Sequence, residues 1–254
     1  MSCPSAQLPG MRIPDQLTVG DGAPIPDELL ERIQGLRDEA IEARNELFSL
    51  YQDLPGHDPR ILVAGHLKSV VTSNYLSMIY VRENLVEPAW WNRHDLGAHA
   101  RFGNVRAELD EYIVVLKSTL MIHSFALFET AVRRIVRALN PNRASFANAE
   151  FKKICDLLLT RLRQDGWTYL NGQPAEFIAL FDFVRNTLVN DGTYCSETET
   201  NASLVWRGTG YEFVHGAVPA FVNWNFNLEL LQELTRLNKS IMQAPLLRRL
   251  SPIP

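Results

Sequence analysis

Cysteine is scarce in this chain, with three in 254 residues, at positions 3, 155 and 195. No two of them have zinc-binding spacing and an odd number leaves one thiol over, so the sequence argues against a secreted disulfide framework and for a reducing, cytoplasmic setting. Long apolar runs are missing as well. No stretch reaches 18 uncharged apolar residues, and the opening MSCPSAQLPGMRIPDQL has no basic segment followed by an apolar one, so neither a membrane span nor a signal peptide is expected. The P-loop, the GxSxG elbow, the dinucleotide GxGxxG and the HExxH pair are absent. Accordingly no cofactor and no metal are expected. Basic excess is lacking too. With 25 Lys and Arg against 29 Asp and Glu the net charge is -4, which excludes a domain that grips nucleic acid by bulk charge and leaves only a local contact.

What remains is an ordinary globular composition, 46% apolar and 21% charged, sufficient for a sizeable core. The charge is unevenly spread. Residues 15–58 hold eleven acids against Arg32, Arg37 and Arg44, a net of -8, whereas residues 133–163 hold eight Lys and Arg against Glu150 and Asp156, a net of +6. Both runs read first as solvated helix surface, and the basic one is also a candidate phosphate surface.

Residues 1–26 carry five prolines and little periodicity, the pattern of a flexible arm. From Asp27, an expected N-cap, Leu29, Ile33, Leu36, Ala40, Ala43, Leu47 and Leu50 repeat in steps of four and three, which predicts an amphipathic helix. Asp58 and Pro59 offer a second N-cap and a proline at the first helical position. The helix they begin carries Leu67, Val71, Met78, Val81 and Leu85, with Asn74 in the seam, and is expected to run to about Pro88 and to pair with the first as a hairpin over 27–90. Trp90 and Trp91 follow in a segment read as loop, where they are candidates for stacking a base or anchoring a partner, or for closing one end of a bundle. A third helix is expected over about 104–139, a fourth around Phe151–Leu162, and a fifth opening at Pro174. Residues 203–215 read as a hairpin turning at Gly208, Thr209 and Gly210, before a last helix over about 219–242 and a tail at 244–254. The fold class is therefore all-α, a helical bundle with a small β-hairpin inserted before the C-terminal helix.

Chemistry concentrates at the end of the Pro174 helix, in Phe183-Val184-Arg185-Asn186-Thr187-Leu188-Val189-Asn190-Asp191-Gly192. Asn186 and Asn190 are four apart and share a face, with Arg185 beside them. A guanidinium there can hold a phosphate through its fork of donors while the amides hydrogen-bond sugar or base. The simpler reading is that Asn190 ends the helix and Arg185 pairs with a carboxylate such as Glu129.

This segment resembles the HEPN superfamily signature, in which an Arg, often followed by Asn, precedes a His by five to seven positions. The stretch Ser124-Phe125-Ala126-Leu127-Phe128-Glu129-Thr130-Ala131-Val132 resembles the helix that packs on the signature helix, and the hairpin and long helix from Leu204 to Ile241 are similar to those of one HEPN branch. The likeness spans about residues 104–243. It implies a HEPN-like helical domain of the toxin-antitoxin or phage-defence kind, a homodimer acting on RNA as a metal-independent endoribonuclease, with an antitoxin or other protein as a further partner. In such enzymes the Arg contacts the scissile phosphate and the His supports acid-base work at the ribose 2'-hydroxyl. Carried over, Arg185 contacts phosphate, Asn186 is a polar support, Glu129 orients Arg185, and Asn190 stands at the His position. An amide cannot exchange a proton near neutral pH, so the nuclease chemistry is expected to be weakened or absent. His123 lies in the apolar seam of the third helix, where a core histidine is the first expectation. Because that helix should pack on the signature helix, His123 is also a candidate substrate-binding residue. The alternatives are a non-catalytic module that binds a protein through its cleft and the acidic helix 27–53, and RNA binding without cleavage.

Overall fold

The structure is a computed structural model that describes residues 25–94, 105–141, 149–170, 173–190 and 192–254. The expected proline-rich arm lies outside these residues up to position 24. The first two periodic segments form α1 (Asp27–Leu50) and α2 (Pro59–Tyr80), which pack as the predicted hairpin. Pro26, rather than Asp27, occupies the N-cap of α1, its carbonyl accepting from Leu29 and Leu30. Asp58 caps α2 as expected, its carboxylate accepting from the Arg60 amide.

The end of α2 differs from the expectation. The chain passes at Tyr80 into a π-helical turn (Val81–Leu85), and Pro88 then opens a short helix, α3 (Pro88–Arg93), instead of closing the previous one. Proline at a first helical position gives up an amide that has no partner there anyway. Trp91, buried on α3, donates from its indole to the Leu85 carbonyl, so the tandem tryptophans close the end of the hairpin.

The long α4 (Val105–Leu139) lies at the centre, packed by α2, α5 (Phe151–Gln164), α6 (Pro174–Val189) and α7 (Trp224–Met242). By length and composition α4 could cross a membrane, although it contains no uncharged run of the length first sought. It buries Lys117 and Ser124 within the bundle, and one continuous core joins it to α1, α2, α6 and α7.

β1 (Ala202–Trp206) and β2 (Thr209–Phe213) form the antiparallel hairpin, with Trp206 opposite Thr209. The turn is therefore the pair Arg207-Gly208, not the expected Gly208-Thr209-Gly210. Both residues have positive φ, 51° and 77°, as the tightest hairpin turns require. Glycine adopts this freely, whereas Arg207 is held there by an ion pair at 2.6 Å to buried Glu233 of α7 and by its stack on Trp206. Phe177 and Phe183 of α6 meet Trp206 and Phe213, which seats the hairpin on that helix.

The expected tail is built into the fold. After α7, Pro245 opens a short helix, α8 (Pro245–Arg248), and the chain returns to the start of α2. Arg60, fully buried, holds the Asp58 carboxylate in a fork of 2.8 and 2.6 Å and donates to the carbonyls of Leu247, Leu250 and Ser251. Asp58 also accepts from the Ile253 amide at 2.8 Å, and Tyr51 donates to the Met242 carbonyl. Hydropathy could not announce this, because a buried ion pair leaves no periodic trace.

Burial alone would raise the Asp58 pKa, but the hydrogen bonds from Arg60 and Ile253 outweigh it and hold the group below the ordinary carboxylate value. This stabilisation is present above the unfolded-state pKa and is lost as pH falls through the lower folded value. Asp58→Asn leaves the Arg60 charge buried without its counter-ion, so urea denaturation at neutral pH is expected to show a loss of about 3–5 kcal/mol. Part of the acid-induced loss expected of the parent protein should vanish in the variant.

Candidate functional site

α6 turns Phe177, Leu180, Phe181, Val184 and Leu188 into the core, as the stripe predicts. Asp182, Arg185, Asn186 and Val189, spaced three, four and seven apart, fall outside that stripe, and Val189 is exposed. α4 packs against α6 as expected for the paired helices, with Phe125 stacked on Phe181 at 5.3 Å. That contact sets the site, because the guanidinium of Arg185 lies over the Phe125 ring, 4.9 Å from its centroid. A cation on an aromatic face contributes about 0.5–1 kcal/mol when exposed and more when desolvated.

Around the guanidinium the polar partners converge. Arg185 donates to the Asn186 side-chain oxygen at 2.7 Å and pairs with Asp182 at 3.3 Å and with Glu129 at 3.8 Å. Glu129 is the expected carboxylate, but its shorter bonds run to Arg133, at 2.7 and 2.8 Å. Arg133 in turn donates to the Ala149 carbonyl and lies near the Phe151 ring, which meets Phe125 edge-on at 5.2 Å. The group is thus formally neutral, two arginines against two carboxylates. Arg185 is part-exposed, yet its buried Nε has no hydrogen-bond partner among the described residues.

Two predicted members stand apart. Asn190 closes the helix, its side-chain amide donating at 2.8 Å to the Asn186 carbonyl, so only one of the two amides meets the guanidinium. The i, i+4 spacing holds, but the Asn190 side chain folds back onto its own helix, where the Asn186 carbonyl accepts both its backbone and its side-chain amide. His123 is neither in the core nor beside Arg185. It is exposed and lines a groove between α2 and α4, six residues and hence about 120° round the helix from Glu129. His215, half-buried, accepts the Ser196 amide at 3.1 Å and serves the loop before the hairpin. Among the described residues no three His, Cys, Asp or Glu side chains gather as a metal site.

Asp182 and Arg133 join the site without having been expected there. Both are signalled by helical spacing, three before Arg185 and four after Glu129, the separations at which opposite charges meet. Phe125 carries no such signal, since its contact with Arg185 depends on the packing of two distant helices.

Arg143 lies outside the described residues, and the rest of the basic run divides into two parts. Arg133, Arg134 and Lys153 are engaged, Arg134 by the carbonyls of His57 and Pro254 and Lys153 by Glu150, whereas Arg137, Lys152, Arg161 and Arg163 are exposed along the end of α4 and along α5. Part of the acidic run is matched from within, through Asp27 with Arg82, Asp38 with Arg37, Glu39 with Arg236, Glu46 with Lys239 and Asp58 with Arg60, while Asp15 and Asp21 lie outside the described residues.

Comparison with family models, with curated proteins and with solved structures finds no match to this chain.

Burial raises the Asp182 pKa and Glu129 adds to that, against the opposing pull of Arg185. An acid whose folded pKa lies above its unfolded value adds stability below the unfolded pKa, and that contribution fades as pH rises through the folded one. Asp182→Asn is therefore expected to flatten the fall in stability just above the ordinary carboxylate range, read from urea midpoints at a series of pH values. An unchanged slope would show that Asp182 titrates normally.

Proposed function

We propose that this chain is a HEPN-like helical protein that contacts RNA through Arg185 as a homodimer, with ribonuclease chemistry weakened or absent. The observation that carries this reading is the arrangement at Arg185, a part-exposed guanidinium stacked on Phe125 and steadied by Glu129, Asp182 and Asn186. A phosphate is well suited to such a group, because a delocalised cation on an aromatic ring keeps in-plane donors for a bidentate oxyanion. Asp182 and Glu129 oppose the approach of an anion, so binding requires Arg185 to exchange one carboxylate for the phosphate. The exposed Lys152, Arg161 and Arg163 on the neighbouring α5 supply the longer-range attraction that the net charge does not.

Cleavage is the weaker element of the reading. Asn190 stands where the family resemblance calls for an imidazole, and its amide is turned to its own helix. Asp182 is the group beside Arg185 with an elevated pKa, and the one positioned to move a proton in place of the missing histidine. The toxin-antitoxin or phage-defence setting follows the same resemblance. Protein capture by the acidic helix is less well supported, because α1 directs Glu39 and Glu46 to cations of α7.

The test is incubation of the purified protein with mixed structured and unstructured RNA in EDTA, with binding measured in parallel. RNA affinity is expected to fall roughly tenfold to a hundredfold in Arg185→Ala, the range for a charge-assisted hydrogen bond. Neutralising Lys152, Arg161 and Arg163 should lower the salt dependence by about one for each phosphate that no longer meets a cation. Cleavage is expected to be slight in the parent protein and to rise in Asn190→His. Affinity that is indifferent to Arg185 and to salt would overturn the reading.

A further inference from the structure

The outer face of α2 and α4 is without charge between Ile61 and Tyr80 and between Tyr112 and Phe128, with Glu108 and Glu111 of α4 beyond one end and Arg134 lining the far end of its groove. Between Ile61 and Tyr80 the one charged residue of α2 is Lys68, which sits about 200° round the helix from His66. Between Tyr112 and Phe128 the one charged residue of α4 is Lys117, buried inside the bundle. The other long surface helices are richly charged, so this face is unlike the rest of the exterior.

Its relief divides into two halves. One half is a groove of about 470 Å³ between the two helices, with Leu62, His66 and Val70 on one wall and His123, Ala126 and Leu127 on the other. The other half carries exposed Leu76 and Tyr80 on α2 and Tyr112 and Val115 on α4, which are 40–58% exposed. Groove and ridge are evenly spaced about a common centre. His66 and Tyr80 lie seven residues to either side of Ser73, and Ala126 and Tyr112 lie seven to either side of Thr119. The helices are antiparallel here, Asn74 donating to the Leu116 carbonyl at 2.8 Å, so Ser73 and Thr119 lie at nearly the same height.

We propose that this face binds a second copy of the chain, with α2 antiparallel to α2 of the partner and α4 to α4, about a two-fold axis beside Ser73 and Thr119. A rotation about that axis sets Tyr80 over the partner's His66 and Tyr112 over the partner's Ala126, so that each ridge fills the opposite groove. Such self-complementarity is what an isologous interface demands, and a surface without it cannot close with itself in this way. At 1.5 Å per residue the face is roughly 30 Å long, and two helices side by side make it about 20 Å wide. That is about 600 Å² on each copy and about 1,200 Å² in all, at the threshold for a stable interface. A lipid surface fits less well. Helices that lie on membranes flank their apolar stripe with Lys and Arg, whereas Ser69, Ser73, Ser77 and Thr119 here are small and neutral, allowing close approach of another helix. This interface rests on the proposed function only for the expectation of a homodimer, lies apart from the α6 helix and needs neither RNA nor Arg185.

Sedimentation velocity of the full chain at micromolar concentration is expected to show a dimer, with or without Arg185→Ala. Ala126→Arg, which places a charge at an exposed position in the groove, should weaken the dimer at least tenfold without changing the thermal transition of the monomer. Tyr112→Lys should do the same from the ridge. Ser73→Cys, at the axis, is expected to give a covalent dimer under mild oxidant, and Ser69→Cys, one turn away, much less of it. A monomeric parent protein, a dimer indifferent to both charge substitutions, or a monomer that floats with phosphatidylcholine vesicles would overturn the proposal. Loss of the dimer together with intact RNA binding would leave the Arg185 reading standing by itself.

Discussion

The fork between Asp58 and Arg60 constrains more of this fold than any other contact. Both groups are fully buried, and removing such charges from water costs several kcal/mol each before any attraction is counted. They tolerate burial because the remaining donors of Arg60 are taken by carbonyls of Leu247, Leu250 and Ser251, and an oxygen of Asp58 by the Ile253 amide. The pair thus fixes the position of the last residues rather than adding much net stability. With Tyr51 bound to the Met242 carbonyl, it joins the corner between α1 and α2 to the end of α7. The helix hairpin and the bundle consequently share one core, and the faces that α2 and α4 turn outward depend on that corner.

Electrostatics at the candidate site follow a different logic. Four charged groups meet where α4 and α6 cross, and none is buried so deeply that it must pair. Such part-exposed pairs are individually weak, about 0–1 kcal/mol, so the arrangement is held by packing of Phe125 against Phe181 and Arg185 more than by charge. Weak pairs are also exchangeable. A surface whose cation is only lightly held can release it to an incoming anion, which a deeply buried pair such as Asp58 and Arg60 cannot do.

Much of the architecture is legible in the sequence because helical periodicity is a local signal. The stripe of α6, the seam of α2 with Asn74 in it and the cap at Asp58 follow from spacing alone and are found in the structure. Differences arise where one local feature admits two outcomes. Pro88 reads as a stop and serves as a start, and the glycines at 208 and 210 suggest a three-residue turn where Arg207 adopts a positive φ with the help of Glu233. Within the site, Arg185, Asn186 and Glu129 are legible and are brought together, while His123 lies about a third of a helical turn from the expected face. No local pattern indicates that residues 247–251 return to Arg60, because that contact joins segments 187–191 residues apart.

The distance along the chain between these partners has a consequence for synthesis. Arg60 leaves the ribosome 187 residues before Leu247, whose carbonyl it binds. At roughly 5–20 residues per second the guanidinium waits about 10–40 s for that acceptor. During the wait the α1 and α2 hairpin can form but cannot dehydrate its corner, and the cost of closing so long a loop grows only slowly with its length. Consolidation of this corner therefore trails the synthesis of α2 by that interval, and until Leu247 emerges its seat on the hairpin stays open to chaperones and proteases.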